Sequence, residues 1–199
     1  MKVLAFVDTH LDEKAIKQII KKSKKVDILI CAGDISWLGQ GTKEALFDLS
    51  KNIKKDIYII PGNHETNSEL IKICKRKKNL IYANKRLIKL EDYYFFFWGG
   101  GGFAQRDKNL EKAITRLKKK LTKDDELIFI THGPPYKTKL DILEYIGHAG
   151  CKSQKKFIKT LKPLLHICGH FHENEEVQEV VYKKTLIINP GPRGKILEI

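Results

Sequence analysis

The chain lacks any hydrophobic run long enough to span a bilayer. Its longest apolar stretches, such as Tyr93–Trp98 and Leu127–Ile130, are strand-sized, whereas a membrane helix needs about 20 apolar residues. It also lacks a C-x-x-C pair. Cys31, Cys74, Cys151 and Cys168 stand singly, which argues against both a zinc ribbon and a disulfide framework and fits a reducing compartment. A single thiol among apolar residues behaves as a small hydrophobe. No charged leader precedes the first strand pattern, so no signal peptide is read and a cytoplasmic location is expected. Internal repeats, low-complexity segments and linkers are absent too. At 199 residues one domain covering residues 1–199 is therefore expected.

What the chain has in excess is lysine. Lys and Arg number 38 against 24 Asp and Glu, a net charge of +14. Such a surface can attract phosphates, nucleic acid included, through a general electrostatic term. The runs Lys21-Lys22-Ser23-Lys24-Lys25 and Lys118–Lys120 also read as solvated helix faces and ends of a Lys-rich proteome, which is the favoured reading. Methionine, with one residue, is scarce, in keeping with a thermophile's composition. The oligomeric state is not legible.

The first half alternates strand and helix patterns. Val3–Val7, Val26–Cys31 and Ile57–Ile60 are apolar runs, followed by helical periodicity over Glu13–Lys24, Lys43–Asn52 and Ser68–Lys75. That spacing predicts βαβ crossovers and parallel strands. The second half reads as short strands at Leu80–Tyr82, Leu87–Leu90 and Tyr93–Trp98, then a helix over Lys108–Leu121. A buried strand at Leu127–Ile130, a helix over Ser153–Leu161 and a strand at Leu164–Cys168 follow. Val177–Tyr182 and Thr185–Ile188 form a closing hairpin. An α/β fold with two sheets packed face to face and helices outside is expected. In Tyr93–Trp98, one face is expected between the sheets, and the other is a candidate partner surface.

The chemistry lies where the strands end. Asp8-x-His10, Gly33-Asp34, Gly62-Asn63-His64, His132-Gly133 and Gly169-His170-Phe171-His172 each directly follow an apolar run. Ligands bind at the carboxyl ends of strands in open α/β sheets, where loops converge on one crevice. Imidazole with carboxylate and no thiolate suits Mn²⁺, Fe, Zn²⁺ or Ni²⁺. Taken singly the blocks are ordinary: Asp8 or Thr9 would serve as a cap for the following helix, and Gly33-Asp34 as a turn. Only Gly169-His170-Phe171-His172 has a geometric argument of its own, since imidazoles two apart point the same way in an extended segment. The order of all five is the informative feature.

That set, D-x-H, G-D, G-N-H, H-G and G-H-x-H, resembles the signature of the calcineurin-like metallophosphoesterase superfamily, and it runs from Asp8 to His172. The resemblance implies a four-layer α/β/β/α sandwich with two mixed sheets. It implies a dinuclear site, with one ion held by Asp8, His10, Asp34 and His172. The other is held by Asp34, Asn63, His132 and His170, so that Asp34 bridges. His64 matches the catalytic histidine that is not a ligand, which stabilises phosphoryl charge or protonates the leaving oxygen. The implied reaction is hydrolysis of a phosphomonoester or phosphodiester by a metal-bound hydroxide, on a phosphorylated small molecule or nucleotide, with no membrane partner. Glu65 stands where the family more often has Asp, and Ile35-Ser36 lacks a further acidic residue some members carry.

Two further residues are candidate substrate contacts: His148, in Gly147-His148-Ala149-Gly150, and Arg106, beside the Gly99–Gly102 run. No insertion large enough to cap the site is present, so selection falls to short loops. Two other readings stay open, a nuclease acting on DNA or RNA, motivated by the charge, and a non-catalytic scaffold of the same fold.

Overall fold

The computed structural model describes residues 1–199. Strand β1 (Lys2–Phe6), helix α1 (Glu13–Ser23), β2 (Ile28–Cys31), α2 (Thr42–Asn52), β3 (Ile57–Ile59), α3 (Asn67–Cys74) and β4 (Leu80–Tyr82) form the alternating first half. Next come β5 (Leu87–Leu90), β6 (Tyr93–Trp98), α4 (Lys108–Lys120), β7 (Glu126–Thr131), β8 (Ile142–Leu143) and β9 (Gly147–His148). Helix α5 (Lys152–Leu161), β10 (Leu165–Ile167), β11 (Gln178–Val181), β12 (Thr185–Ile188) and β13 (Lys195–Glu198) complete the chain. One sheet has the order β13-β1-β2-β3-β4 and the other β11-β12-β10-β7-β6-β5. Both are mixed: β13 runs antiparallel to β1, while β1 through β4 are parallel. In the second sheet β12, β10, β7 and β6 are parallel, flanked by antiparallel β11 and β5.

Period-two alternation builds four layers from these sheets. Val3, Ala5 and Val7 face Phe95, Phe97, Ile128, Ile130 and Ile167 between the sheets. Leu4 and Phe6 face the other way, onto Ile19 of α1, Leu46 and Leu49 of α2 and Leu70 of α3. Phe96, Trp98 and Phe129 pack under Leu110, Ile114 and Leu117 of α4 and Phe157 of α5. The result is the expected α/β/β/α sandwich.

Helix α1 shows how local signals set its place. Asp12 caps it, its carboxylate accepting the Lys14 and Ala15 N–H groups at 2.8 and 3.3 Å, and Lys21 and Lys22 lie in the last turn where the helix dipole favours cations. Asp8 and Thr9 therefore do not cap this helix.

Two expectations change, and one element is new. The second face of β6 is not a free partner surface, because Phe96 and Trp98 are covered by α4 and α5. The hairpin β11–β12 does not close the fold: β13 follows it and pairs with β1 in the other sheet. The short β8–β9 ribbon was also not expected. All four cysteines are buried and unpaired, and no helix is long and apolar enough to cross a membrane.

Candidate metal centre

The five motif blocks converge. Asp8 and His10 follow β1, Asp34 follows β2, and Asn63 and His64 follow β3. His132 follows β7, and His170 and His172 follow β10. Three groups of side chains bring their ligand-type atoms within 4.8 Å of one another: Asp8–His10–His172, His10–Asp34–His64 and Asp34–His132–His170. Asp34 is shared by the last two and His10 by the first two. Several backbones here are left-handed, with φ of 54° at Asp8, 43° at His10, 52° at Asp34 and 73° at His170. Such conformations are costly for residues other than glycine and concentrate at functional sites. The Asp34 and Asn63 loops touch backbone to backbone. A Cβ on Gly33 would collide with Gly62, and one on Gly62 with the Asp34 carboxylate. Only glycine fits at either position.

Each buried group is held by the backbone of another block. Asp8 accepts the His170 N–H at 2.7 Å and Asp34 the His64 N–H at 3.0 Å. His132, fully buried, donates from Nδ1 to the Ala32 carbonyl at 3.0 Å, which directs Nε2 to Asn63 Oδ1 at 2.9 Å and Asp34 Oδ2 at 3.1 Å. Histidine ligands of metals are commonly oriented this way, with the far nitrogen donating to a carbonyl. His10 and His172 face each other, Nε2 to Nε2, at 3.2 Å.

The electrostatics follow from burial and charge. Burial pushes Asp8 up to about 6, though nearby His132 opposes it. Asp34 also feels burial, but its hydrogen bond to His132 and that ring's charge hold it down at about 2. His132 answers in the opposite direction. Burial disfavours its charge, yet the Asp34 hydrogen bond and the Asp8 and Asp34 charges raise it to about 9. Burial lowers His10 and His170 to about 4, so their rings are neutral at neutral pH.

The donor set fits divalent cations. Asp8 Oδ1 and His170 Nε2 are buried without a hydrogen-bond partner. Orphaned buried acceptors in a native protein call for an explanation, and these two, beside Asp34 and His132, match imidazole–carboxylate coordination.

The other candidates lie apart. His148 is exposed on β9, its Nδ1 bonded to Asp141 at 2.7 Å and its ring against Tyr136, outside all three groups. Arg106 lines a small cleft with Gly100–Gly102, Gly133, Pro134 and Gln154. Gly102 and Gly133 border that cleft on one side and His170 on the other, so Arg106 stands one loop away from the centre.

Three residues were not anticipated. The Glu65 carboxylate accepts N–H groups from Asp34, Ile35, Ser36 and Gly62 at 2.7 to 3.2 Å, stapling the Asp34 and Asn63 loops together. Its departure from the family pattern was visible, but not this job. Trp37 stacks on His10. His166, fully buried in β10, donates from Nε2 to the Thr131 hydroxyl at 2.8 Å, because that hydroxyl's own proton goes to the Gly133 carbonyl. It thereby braces the turn that carries His132.

A family model described as calcineurin-like phosphoesterase matches residues 1–174. Uncharacterized protein MJ1162 of Methanocaldococcus jannaschii is 27% identical over 202 residues, spanning 98% of this chain and 89% of that protein. The crystal structure of TT1561 of Thermus thermophilus aligns with a TM-score of 0.69 at 15% identity, covering 96% of this chain and 88% of that one. The structure of purple acid phosphatase PPD1 from yellow lupin (Lupinus luteus) seeds aligns with a TM-score of 0.64 at 16% identity, covering 98% of this chain and 44% of that one. At these identities the structural likeness is one of fold.

Proposed function

Because this chain belongs to the calcineurin-like phosphoesterase family, we propose that residues 1–199 act as one dinuclear, metal-dependent hydrolase of phosphomonoesters or phosphodiesters. The observation that carries this reading is Asp34, shared between two neighbouring side-chain groups and set beside the orphaned, buried His170 Nε2. Asp8, His10, Asp34 and His172 would hold one ion, and Asp34, Asn63, His132 and His170 the other. Divalent cations such as Mn²⁺, Fe, Zn²⁺ or Ni²⁺ would supply Lewis acidity at the phosphoryl group and an activated water.

The chain's own contribution is orientation and charge. Asp8, Asp34 and His132 are fixed by backbone contacts before substrate arrives. Preorganised groups of this kind avoid reorganisation during reaction. His64 accepts the Leu38 N–H on Nδ1 at 3.1 Å, so its ring proton sits on Nε2, the nitrogen 3.9 Å from Asp34 Oδ2. In this tautomer the ring donates a hydrogen bond to developing negative charge. A neutral ring with Nδ1 already occupied has no second proton to release, which favours charge stabilisation over leaving-group protonation.

The test is a hydrolysis panel with 4-nitrophenyl phosphate and bis(4-nitrophenyl) phosphate under Mn²⁺, Fe²⁺, Zn²⁺ and Ni²⁺, with metal content measured in parallel. Turnover of either ester is expected, with Asp34→Asn at background. Metal-loaded protein inert toward both esters would overturn the proposal and raise the scaffold reading. The net charge of +14 supports a second reading, a nuclease. Its test is salt-dependent binding and cleavage of oligonucleotides, and a flat salt slope without cleavage would remove it.

A further inference from the structure

The turn that orients His64 also displays an aromatic ring to solvent. Trp37–Gln40 closes with Gln40 N–H donating to the Trp37 carbonyl at 3.0 Å. Both central residues have positive φ, 51° at Leu38 and 78° at Gly39. That geometry is routine for Gly39 and costly for Leu38. The turn is nevertheless well anchored. Leu38 N–H reaches His64 Nδ1, Thr42 Oγ1 donates to the Gly39 carbonyl at 3.0 Å, and the Ser36 and Thr42 hydroxyls meet at 2.6 Å. This fixed, strained turn leaves Trp37 53% and Leu38 77% exposed. Burial of apolar surface therefore does not account for it.

The indole has a definite place. It stacks on His10 with ring centroids 3.7 Å apart and planes 15° apart, and it meets His64 edge-on at 5.0 Å. His172 lies 6.3 Å away. One face is covered by His10, and the exposure belongs to the rest of the ring. A flat, rigid π surface thus borders the histidine that would serve the phosphoryl group. We propose that Trp37 is a recognition platform for phosphoesters whose organic group carries a flat aromatic ring, as a nucleobase does. This rests on the phosphoesterase reading above and adds a substrate class to it. Stacking on an exposed aromatic tolerates many ring types, because every base has a π face. The isolated ring, set among candidate ligand histidines, suits one planar group of a small substrate better than a broad protein face.

The test compares substrates that share a leaving oxygen and differ in the ring: AMP against ribose 5-phosphate, and the methyl diester of each. In Trp37→Ala the ratio of kcat/KM for ring-bearing over ring-free ester is expected to fall about 10- to 100-fold. Trp37→Phe should keep most of the ratio, and Trp37→Leu, apolar but not planar, should lose it. Equal losses on both substrates would make Trp37 a prop for His10 and overturn the platform. A ratio retained in Trp37→Leu would do so as well. Indole fluorescence gives a readout independent of turnover, since the other tryptophan, Trp98, is buried and bonded to Asp107. AMP should quench wild-type emission and ribose 5-phosphate should not, with the difference absent in Trp37→Phe. That quench in a protein inert toward these four esters and both nitrophenyl esters would sink the phosphoesterase reading and leave the platform standing. Turnover without quench or ring preference would sink the platform alone.

Discussion

The two ends of the candidate centre are built to different standards. At one end Asp34 and His132 are buried and each is held by hydrogen bonds to other blocks: His64 N–H onto Asp34, Ala32 carbonyl and Asn63 onto His132. At the other end His172 is exposed, and His10 is positioned by aromatic contact with Trp37 and by His172 itself. The first end is organised by the fold, whereas at the second only Asp8 is held that way, by the His170 N–H, and under the proposed function a bound ion would complete the rest. This difference separates side chains that would define the site from side chains that would complete it. Replacing Asp34 by Asn should bring metal content and activity down to background, because it strips both neighbouring groups of their shared carboxylate. Replacing His172 by Gln should leave the buried ion in place and weaken the exposed one. Equilibrium dialysis followed by elemental analysis reads this directly, and equal metal loss in the two variants would erase the proposed asymmetry.

Glu65 belongs to the rigid end, and removing it should show how much of that rigidity is backbone. Burial raises its pKa, with the Gly62, Ser36 and Asp34 N–H groups pulling the other way. Glu65→Ala would orphan four buried N–H groups. At about 1–3 kcal/mol for each unsatisfied buried group, discounted for water entering the gap, a loss of about 3 kcal/mol or more is expected. Glu65→Asp, the residue more usual in the family, should recover part of it. Denaturant unfolding of the two variants checks this, and a near-neutral Glu65→Ala would mean that the loops hold without their staple. His64 sits where the two ends meet. His64→Gln should lower kcat by about 100-fold, at the lower end of what losing one donor to developing negative charge costs. Metal content should stay unchanged, since His64 is not assigned as a ligand, and a parallel loss of metal would reassign it.

The same contrast explains what the sequence could and could not reveal. The convergence of the motif blocks was legible because each couples two local signals, an apolar strand and a polar residue at its carboxyl end. The α/β fold was legible in apolar runs such as Val3–Val7 alternating with helical periodicity. Strand β13 was not, since Lys195–Glu198 is four residues long and its partner β1 lies at the opposite terminus. The aromatic run Tyr93–Trp98 hid its second face because a strand between a sheet and helices is apolar on both sides. Trp37 gave no signal because its direction is set by the left-handed turn at Leu38 and Gly39 and by a hydrogen bond to His64, 26 residues away. His166 read as part of an apolar strand, and its partner Thr131 is 35 residues off.

His166 offers the smallest predicted effect and a separate view of the rigid end. Burial depresses its pKa from the ordinary 6.5 to about 3, and Nδ1 has no partner to receive a proton. Below pH 6.5 the unfolded chain takes up a proton that the native ring refuses. Stability is therefore fully present above that pH and falls as the pH drops toward 3. Between pH 7.5 and 5.5 this one group accounts for about 1.4 kcal/mol, one proton's linkage over one effective pH unit. Other buried groups titrate as well, so the measurement is a difference. Unfolding free energies of wild type and His166→Gln are followed across that range, Gln keeping a donor for Thr131 but no titration. The variant's curve should be flatter by about that amount, whatever its absolute stability. Parallel curves would mean that water or a local opening lets the ring protonate in the folded state. The brace beneath His132 would then be as yielding as the exposed end.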